Sequence, residues 1–248
     1  MSGHSKWATI KRKKAVTDQK RGKIFTKLIK EIMVAARAGG GDEDANPRLR
    51  QAVMAARGAN MPQDNIKRAI KKGTGELPGQ NFEEATYEGY GPAGVAIIME
   101  VLTDNKKRTV AEIRHLMTKY GGNLGENGSV AWMFDRKGII SLKKDSGDED
   151  SLFEAALEAG AEDFNSDEEE FYIVTTGPTD LMSVRDSLEA QNCTVESSDL
   201  EMIPKNLTKV EGSAIETLMT LMELLEDHDD IKSVFSNFDI DEDLISQD

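Results

Sequence analysis

The chain has 248 residues, 38% of them apolar, and 31 Lys and Arg against 45 Asp and Glu give a net charge of −14. That length supports two or three packed domains; the single cysteine, Cys193, excludes an intrachain disulfide or a cysteine-based zinc cluster and suits a reducing cytosol; and the most apolar stretch, Val95 to Leu102, is too short to cross a bilayer. The average conceals two opposite parts, because Met1 to Gly75 holds 18 Lys and Arg against 6 Asp and Glu while Glu76 to Asp248 holds 13 against 39. Cations that displace condensed counterions from a phosphate polymer gain entropy, so the front end is drawn to nucleic acid and the acidic remainder is repelled by it.

Met1 to about Lys20 lacks sustained apolar periodicity and gathers Lys6, Lys11, Arg12, Lys13, Lys14 and Lys20 around Trp7, which reads as a basic arm. A helix is expected from Lys20 to Arg37, stopped by Gly39-Gly40-Gly41. At about 100° per residue, Ile24, Phe25, Leu28, Ile29, Ile32, Met33 and Ala36 share its packing half, whereas Lys20, Lys23, Lys27, Lys30 and Arg37 gather on a face for solvent or phosphate. Asn46-Pro47 supplies an N-cap and an N1 proline for a second helix over 48–57. Pro62 opens a third, with Ile66, Ala69 and Ile70 inward and Lys67, Arg68, Lys71 and Lys72 elsewhere, ended by Gly73. The run from Gly73 to Gly79 reads as a linker.

From Phe82 the pattern turns to strands: 83–90, 95–102 and 130–135, with a helix capped by Asn105 and stopped by Gly121-Gly122. Residues 139–203 read as strand, helix, strand, strand, helix, strand, the split βαβ order of ferredoxin-like domains. A helix over 213–225 and a strand over 231–235 then lack partners unless they return to the earlier sheet. The expected fold is therefore α+β in three domains. A basic arm (1–19) precedes a helical domain (20–79), and a ferredoxin-like domain (137–205) is inserted within an α+β domain (80–136 with 206–238). An acidic tail (239–248) closes the chain.

The chain offers little for catalysis. Gly89 to Gly94 matches G-x-G-x-x-G but is followed by a strand rather than a helix, so it reads as a turn. Asp42, Asp44 and Asn46 imitate an EF-hand start, yet Pro47 stands where the turn glycine belongs and Val53 where the bidentate glutamate belongs. No Walker sequence occurs, His4, His115 and His228 are scattered, and Cys193 has no cationic neighbours in sequence. No metal, no cofactor and no enzymatic activity are expected.

Several motifs together resemble one family. They are Gly3-His4-Ser5-Lys6-Trp7, Lys20-Arg21-Gly22-Lys23-Ile24-Phe25, Ala45-Asn46-Pro47-Arg48-Leu49-Arg50 and Asn60-Met61-Pro62. Further on come Tyr87-Glu88-Gly89-Tyr90-Gly91-Pro92, Thr103-Asp104-Asn105 with Arg108-Thr109, and Gly121-Gly122-Asn123-Leu124-Gly125. This set resembles the YebC/PmpR family, which includes the mitochondrial translational activator of cytochrome c oxidase; Ala93 stands where many members have glycine. The resemblance implies a cytoplasmic, non-enzymatic role in gene expression, as a DNA-binding transcriptional regulator or, alternatively, a translation factor acting on ribosomal RNA. A protein adaptor is a remoter reading.

The expected partner is nucleic acid, DNA or ribosomal RNA, with the ribosome as one setting and no membrane involved. The residues expected to touch it are Lys6, Trp7, Lys11, Arg12, Lys13, Lys14, Lys20, Arg21, Lys23, Lys27 and Lys30. Trp7 would stack on an unpaired base. The arrangement suits folded or single-stranded RNA at least as well as duplex DNA.

Overall fold

The computed structural model describes residues 18–168 and 170–241, the first three of them by backbone alone. Their fold is α+β, with a helical region first. They divide into two compact units, one holding the residues up to Trp132 together with those from Leu207, the other Met133–Asn206.

In the first unit, helix α1 (Asp18–Gly39) is joined by α2 (Pro47–Gly58) and α3 (Gln63–Gly73). Asn46 fastens the start of α2: its Oδ1 accepts from the Leu49 N–H at 3.1 Å, and its Nδ2 donates to the carbonyls of Ala35 and Gly40. One buried side chain thus caps a helix and satisfies the end of the preceding one. Ile32, Ala35, Ala36, Leu49, Val53, Ala56 and Ile66 form the core. Gly73 lets α3 approach α1, since a Cβ there would stand 2.6 Å from the Met33 carbonyl oxygen. Ile24, expected on the packing side, is 38% exposed because it precedes the stretch that the two shorter helices cover.

The sheet of this unit comprises β1 (Glu83–Tyr90), β2 (Ala96–Thr103), β3 (Asn123–Leu124) and β9 (Ile231–Ser236), in the order β3-β1-β2-β9 with every pair antiparallel. Helices α4 (Lys106–Lys119) and α7 (Ser213–Glu226) contribute Ile113, Met117, Leu218, Leu221 and Leu225 to a core with Ile97, Met99, Val101 and Val234 of the sheet. Asn105 caps α4, accepting from the Arg108 N–H. The Gly89 to Gly94 segment is a turn between β1 and β2, with Ala93 in the left-handed region at φ 57°. That conformation is costly for a residue with a Cβ and open to glycine. Strands β8 (Thr208–Lys209) and β10 (Phe238–Asp239) pair in parallel, and Ile240 is buried, so the segment expected to begin an acidic tail at 239 starts inside the fold. Residues 242–248 lie outside the described residues.

The second unit has β4 (Phe134–Lys143), α5 (Glu149–Ala159), β5 (Asp163–Asn165), β6 (Phe171–Thr176), α6 (Leu181–Ala190) and β7 (Val195–Pro204). The sheet order β5-β6-β4-β7, antiparallel throughout, is that of a ferredoxin-like domain. Ile140, Leu142, Val174, Val184 and Leu188 fill its core, and Cys193 is buried, which pushes its thiol up. Two strands expected at 130–135 and 139–142 prove to be one: β4 is continuous, and the boundary expected between 136 and 137 falls inside it. Val130 to Met133 leaves the extended path because the Glu88 carboxylate gathers the local backbone N–H groups into a turn.

Candidate nucleic-acid interface

The lysine face of α1 does not point wholly to solvent. Helix α7 ends at Glu226 with no basic residue in its last turn, leaving carbonyl groups at the negative end of its dipole, and Asp227, Asp229 and Asp230 follow. Three lysines, spaced along one side of α1, satisfy this end. Lys23 Nζ donates to the Asp227 carbonyl at 3.1 Å, Lys27 Nζ to the Glu226 carbonyl, and Lys30 Nζ to the Asp229 carbonyl at 2.9 Å and Asp230 Oδ1 at 2.7 Å. Lys30 is buried, which corrects the expectation of a solvent-facing side chain there. The cause is electrostatic: the same cations that suit phosphate suit the carbonyl-rich end of a helix followed by three aspartates.

Asp230 is the centre of this contact. Its side chain is 6% exposed and receives Lys30 at 2.7 Å, Arg108 at 2.7 Å, Thr109 Oγ1 at 2.7 Å and Thr103 Oγ1 at 3.1 Å. Burial would raise its carboxyl, and the hydrogen bonds from Lys30, Arg108 and Thr109 outweigh burial and hold it well below the usual carboxylate range. A cleft of about 600 Å³ opens beside it, lined by Thr26, Phe82, Asp104, Glu112 and His228 among others. Glu112, His228 and Asp230 approach one another closely enough to suggest metal ligation. Their lone pairs are already engaged: His228 Nδ1 accepts from the Asp230 N–H, Nε2 meets Glu112 at 3.1 Å, and both oxygens of Asp230 face cations. A divalent ion would have to displace Lys30 or Arg108, so these residues fit a lock between α1 and the sheet rather than a metal site.

Of the other expected contact residues, Lys6, Trp7, Lys11, Arg12, Lys13 and Lys14 lie outside the described residues, and Lys20 is described by backbone alone. Arg21 is exposed at the start of α1. On α3, Lys67, Arg68 and Lys71 are exposed and make no ion pair among the described residues, whereas Arg48 on α2 is spent on Glu31 and Glu84. Among the described residues, the cationic surface open to a phosphate backbone is therefore narrower than the periodicity of α1 implies. Trp132 was not among the expected contacts, yet it is 65% exposed, the most of any large apolar residue described. Its setting in an apolar run, Val130 to Phe134, resembles a strand and gives no sign of exposure.

Comparison with known proteins places this arrangement. Residues 5–76 match the TACO1/YebC protein N-terminal domain, and residues 82–238 match the TACO1/YebC second and third domain. A protein of Geotalea uraniireducens named probable transcriptional regulatory protein is 58% identical over 242 residues, covering 98% of this chain and 97% of its own. One of Syntrophotalea carbinolica with the same name is 59% identical over 240 residues, covering 97% and 96%. The crystal structure of a conserved hypothetical protein from Aquifex aeolicus superposes with a TM-score of 0.88 at 45% identity, covering 96% of this chain and 98% of that one. Matches to both family models over most of its length, together with these near full-length relatives, make this chain a member of the TACO1/YebC family.

Proposed function

We propose that the protein is a non-enzymatic, cytoplasmic regulator of gene expression that binds nucleic acid through its N-terminal arm and the adjoining helical surface. The observation that carries this reading is the charge asymmetry, 18 cations against 6 acids from Met1 to Gly75 in a chain whose remainder is strongly acidic. Arg21, Lys67, Arg68 and Lys71 continue that surface beyond the arm, while Lys23, Lys27 and Lys30 anchor α1 from behind. Relatives named probable transcriptional regulatory protein favour DNA as the polymer. The exposed Trp132 favours the second reading, unpaired RNA bases of the kind a ribosome presents. The hydroxyls that meet Asp230, on Thr103 and Thr109, are fully buried, which suits a structural lock rather than a nucleophile and its base.

Titration of labelled duplex DNA and single-stranded RNA over a range of salt tests the reading. With about six phosphates neutralised, log K falls against log salt with a slope of about −5 on duplex and about −4 on single strands. Removing residues 2–19 abolishes binding and leaves thermal stability nearly unchanged; an affinity insensitive to salt, or unaffected by the deletion, overturns it.

A further inference from the structure

We infer that Trp132 is a preformed stacking platform for an unpaired base, a contact that rests on the nucleic-acid reading above and adds a second site to it. Trp132 is the most exposed large apolar side chain among the described residues, at 65%. It is held in place. Glu88, buried to 6% exposure, spends its carboxylate on the backbone N–H groups of Gly128, Val130 and Ala131 at 2.7, 2.8 and 2.8 Å. The Tyr90 hydroxyl donates to the Ser129 carbonyl at 3.0 Å, and the Trp132 indole N–H donates to the same oxygen at 3.1 Å. The polar edge of the indole is thereby satisfied within the protein, leaving its π face for a ligand. The buried carboxylate with its three backbone bonds and the buried Val130 side chain fix the loop, which removes in advance the entropy lost when a base docks.

The surroundings favour a nucleotide over a protein surface. Residues 106–132 hold five Lys and Arg against two acids, a cationic island within the acidic two-thirds of the chain. On α4, Lys107, Arg114 and Lys119 are exposed and make no ion pair among the described residues. The C-terminal turn of α4 and the Trp132 loop meet on one residue: a Cβ on Gly122 would stand 2.5 Å from the Tyr90 carbonyl oxygen, Asn123 pairs with Tyr90, and the Tyr90 hydroxyl holds Ser129. Only one acid, Glu126, lies between Tyr120 and Trp132. An exposed indole on a loop joined through Tyr90 to the end of α4 that carries Lys119 matches a base with its phosphate.

The chain has two tryptophans, so Trp7→Phe leaves Trp132 as the sole indole fluorophore. Full-length Trp7→Phe protein is titrated with a labelled 12-nucleotide oligouridylate and with an abasic oligomer of the same length, reading anisotropy for binding and indole emission for stacking. Oligouridylate quenches the emission and the abasic oligomer does not, while both raise anisotropy. In the otherwise unaltered chain, Trp132→Ala weakens oligouridylate about 5- to 150-fold, from a stacking contact of ordinary strength, leaves the abasic oligomer unaffected, and Trp132→Phe restores most of the loss. Binding with unquenched emission and equal affinity for both oligomers overturns this inference and leaves the nucleic-acid reading intact. No anisotropy change with either oligomer overturns both.

Discussion

Replacing Asp230 by alanine removes the acceptor that joins α1 to the sheet. The carboxylate is 6% exposed and Lys30 11%, so the substitution leaves a buried ammonium with the Asp229 carbonyl at 2.9 Å and the face of the Phe82 ring at 5.3 Å but no counter-charge from Asp230. Breaking a buried pair in this way costs about 3–5 kcal/mol. Arg108 is 44% exposed and keeps Asp104 at 2.9 Å, so its share is small, and Thr103 and Thr109 still bond each other at 2.7 Å. The expected loss is therefore near the lower end, about 3 kcal/mol. With an m-value of about 2 kcal/mol/M, the urea midpoint followed by far-UV circular dichroism moves down by about 1.5 M at pH 7. The carboxyl is depressed in the folded state, so its contribution is complete above the ordinary carboxylate value of 3.8 and is lost as pH falls toward the folded-state value. The gap between wild type and Asp230→Ala accordingly narrows below about pH 4. A midpoint change under about 0.3 M at pH 7, or a gap that stays constant on acidification, refutes the assignment of Asp230 as the lock.

Three further substitutions probe the frame. Ala93→Gly relieves the left-handed residue at φ 57° and raises stability by about 0.5–1 kcal/mol after allowing for glycine's freedom in the unfolded chain, measured by chemical denaturation. Gly73→Ala drives a Cβ to 2.6 Å from the Met33 carbonyl oxygen and 2.7 Å from the Ala36 Cβ, so α3 must shift from α1 at a cost of about 1–3 kcal/mol, read as a lower melting temperature. Glu88→Gln turns an amide N–H₂ toward backbone donors and costs about 2–3 kcal/mol. Burial raises the Glu88 carboxyl and three backbone N–H groups outweigh that effect, so the folded value lies below the ordinary 4.5. Wild type therefore loses this contribution as pH falls below that value, and Glu88→Gln shows a shallower acid dependence over the same range.

What could be read from the sequence divides along physical lines. Asn46-Pro47 and Asn105 announce helix starts because capping is local chemistry, and both side chains accept the bonds their identities imply. The return of α7 and β9 to the first sheet followed from counting unpartnered elements, and β9 lies against β2 as that requires. Periodicity sorted α1 into apolar and cationic faces but could not say what the cationic face meets. Lys23, Lys27 and Lys30 fit either phosphate or the carbonyl end of α7, which is distant in sequence, and only tertiary structure decides. The exposure of Trp132 has no local signature for a similar reason: the turn that exposes it is imposed by Glu88, on a strand far earlier in the chain. Strand boundaries near 136 blurred because Asp135-Arg136-Lys137-Gly138 interrupts the apolar pattern, although β4 runs unbroken from Phe134 to Lys143 within the second unit.

The most direct test of the central claim is ultraviolet cross-linking of the full-length protein to nucleic acid in growing cells, followed by mass spectrometry of the cross-linked peptides. Adducts are expected on the arm, on Arg21 and Lys67 to Lys71, and on Trp132. Adducts confined to Met133–Asn206, with the N-terminal cations unmodified, would contradict it.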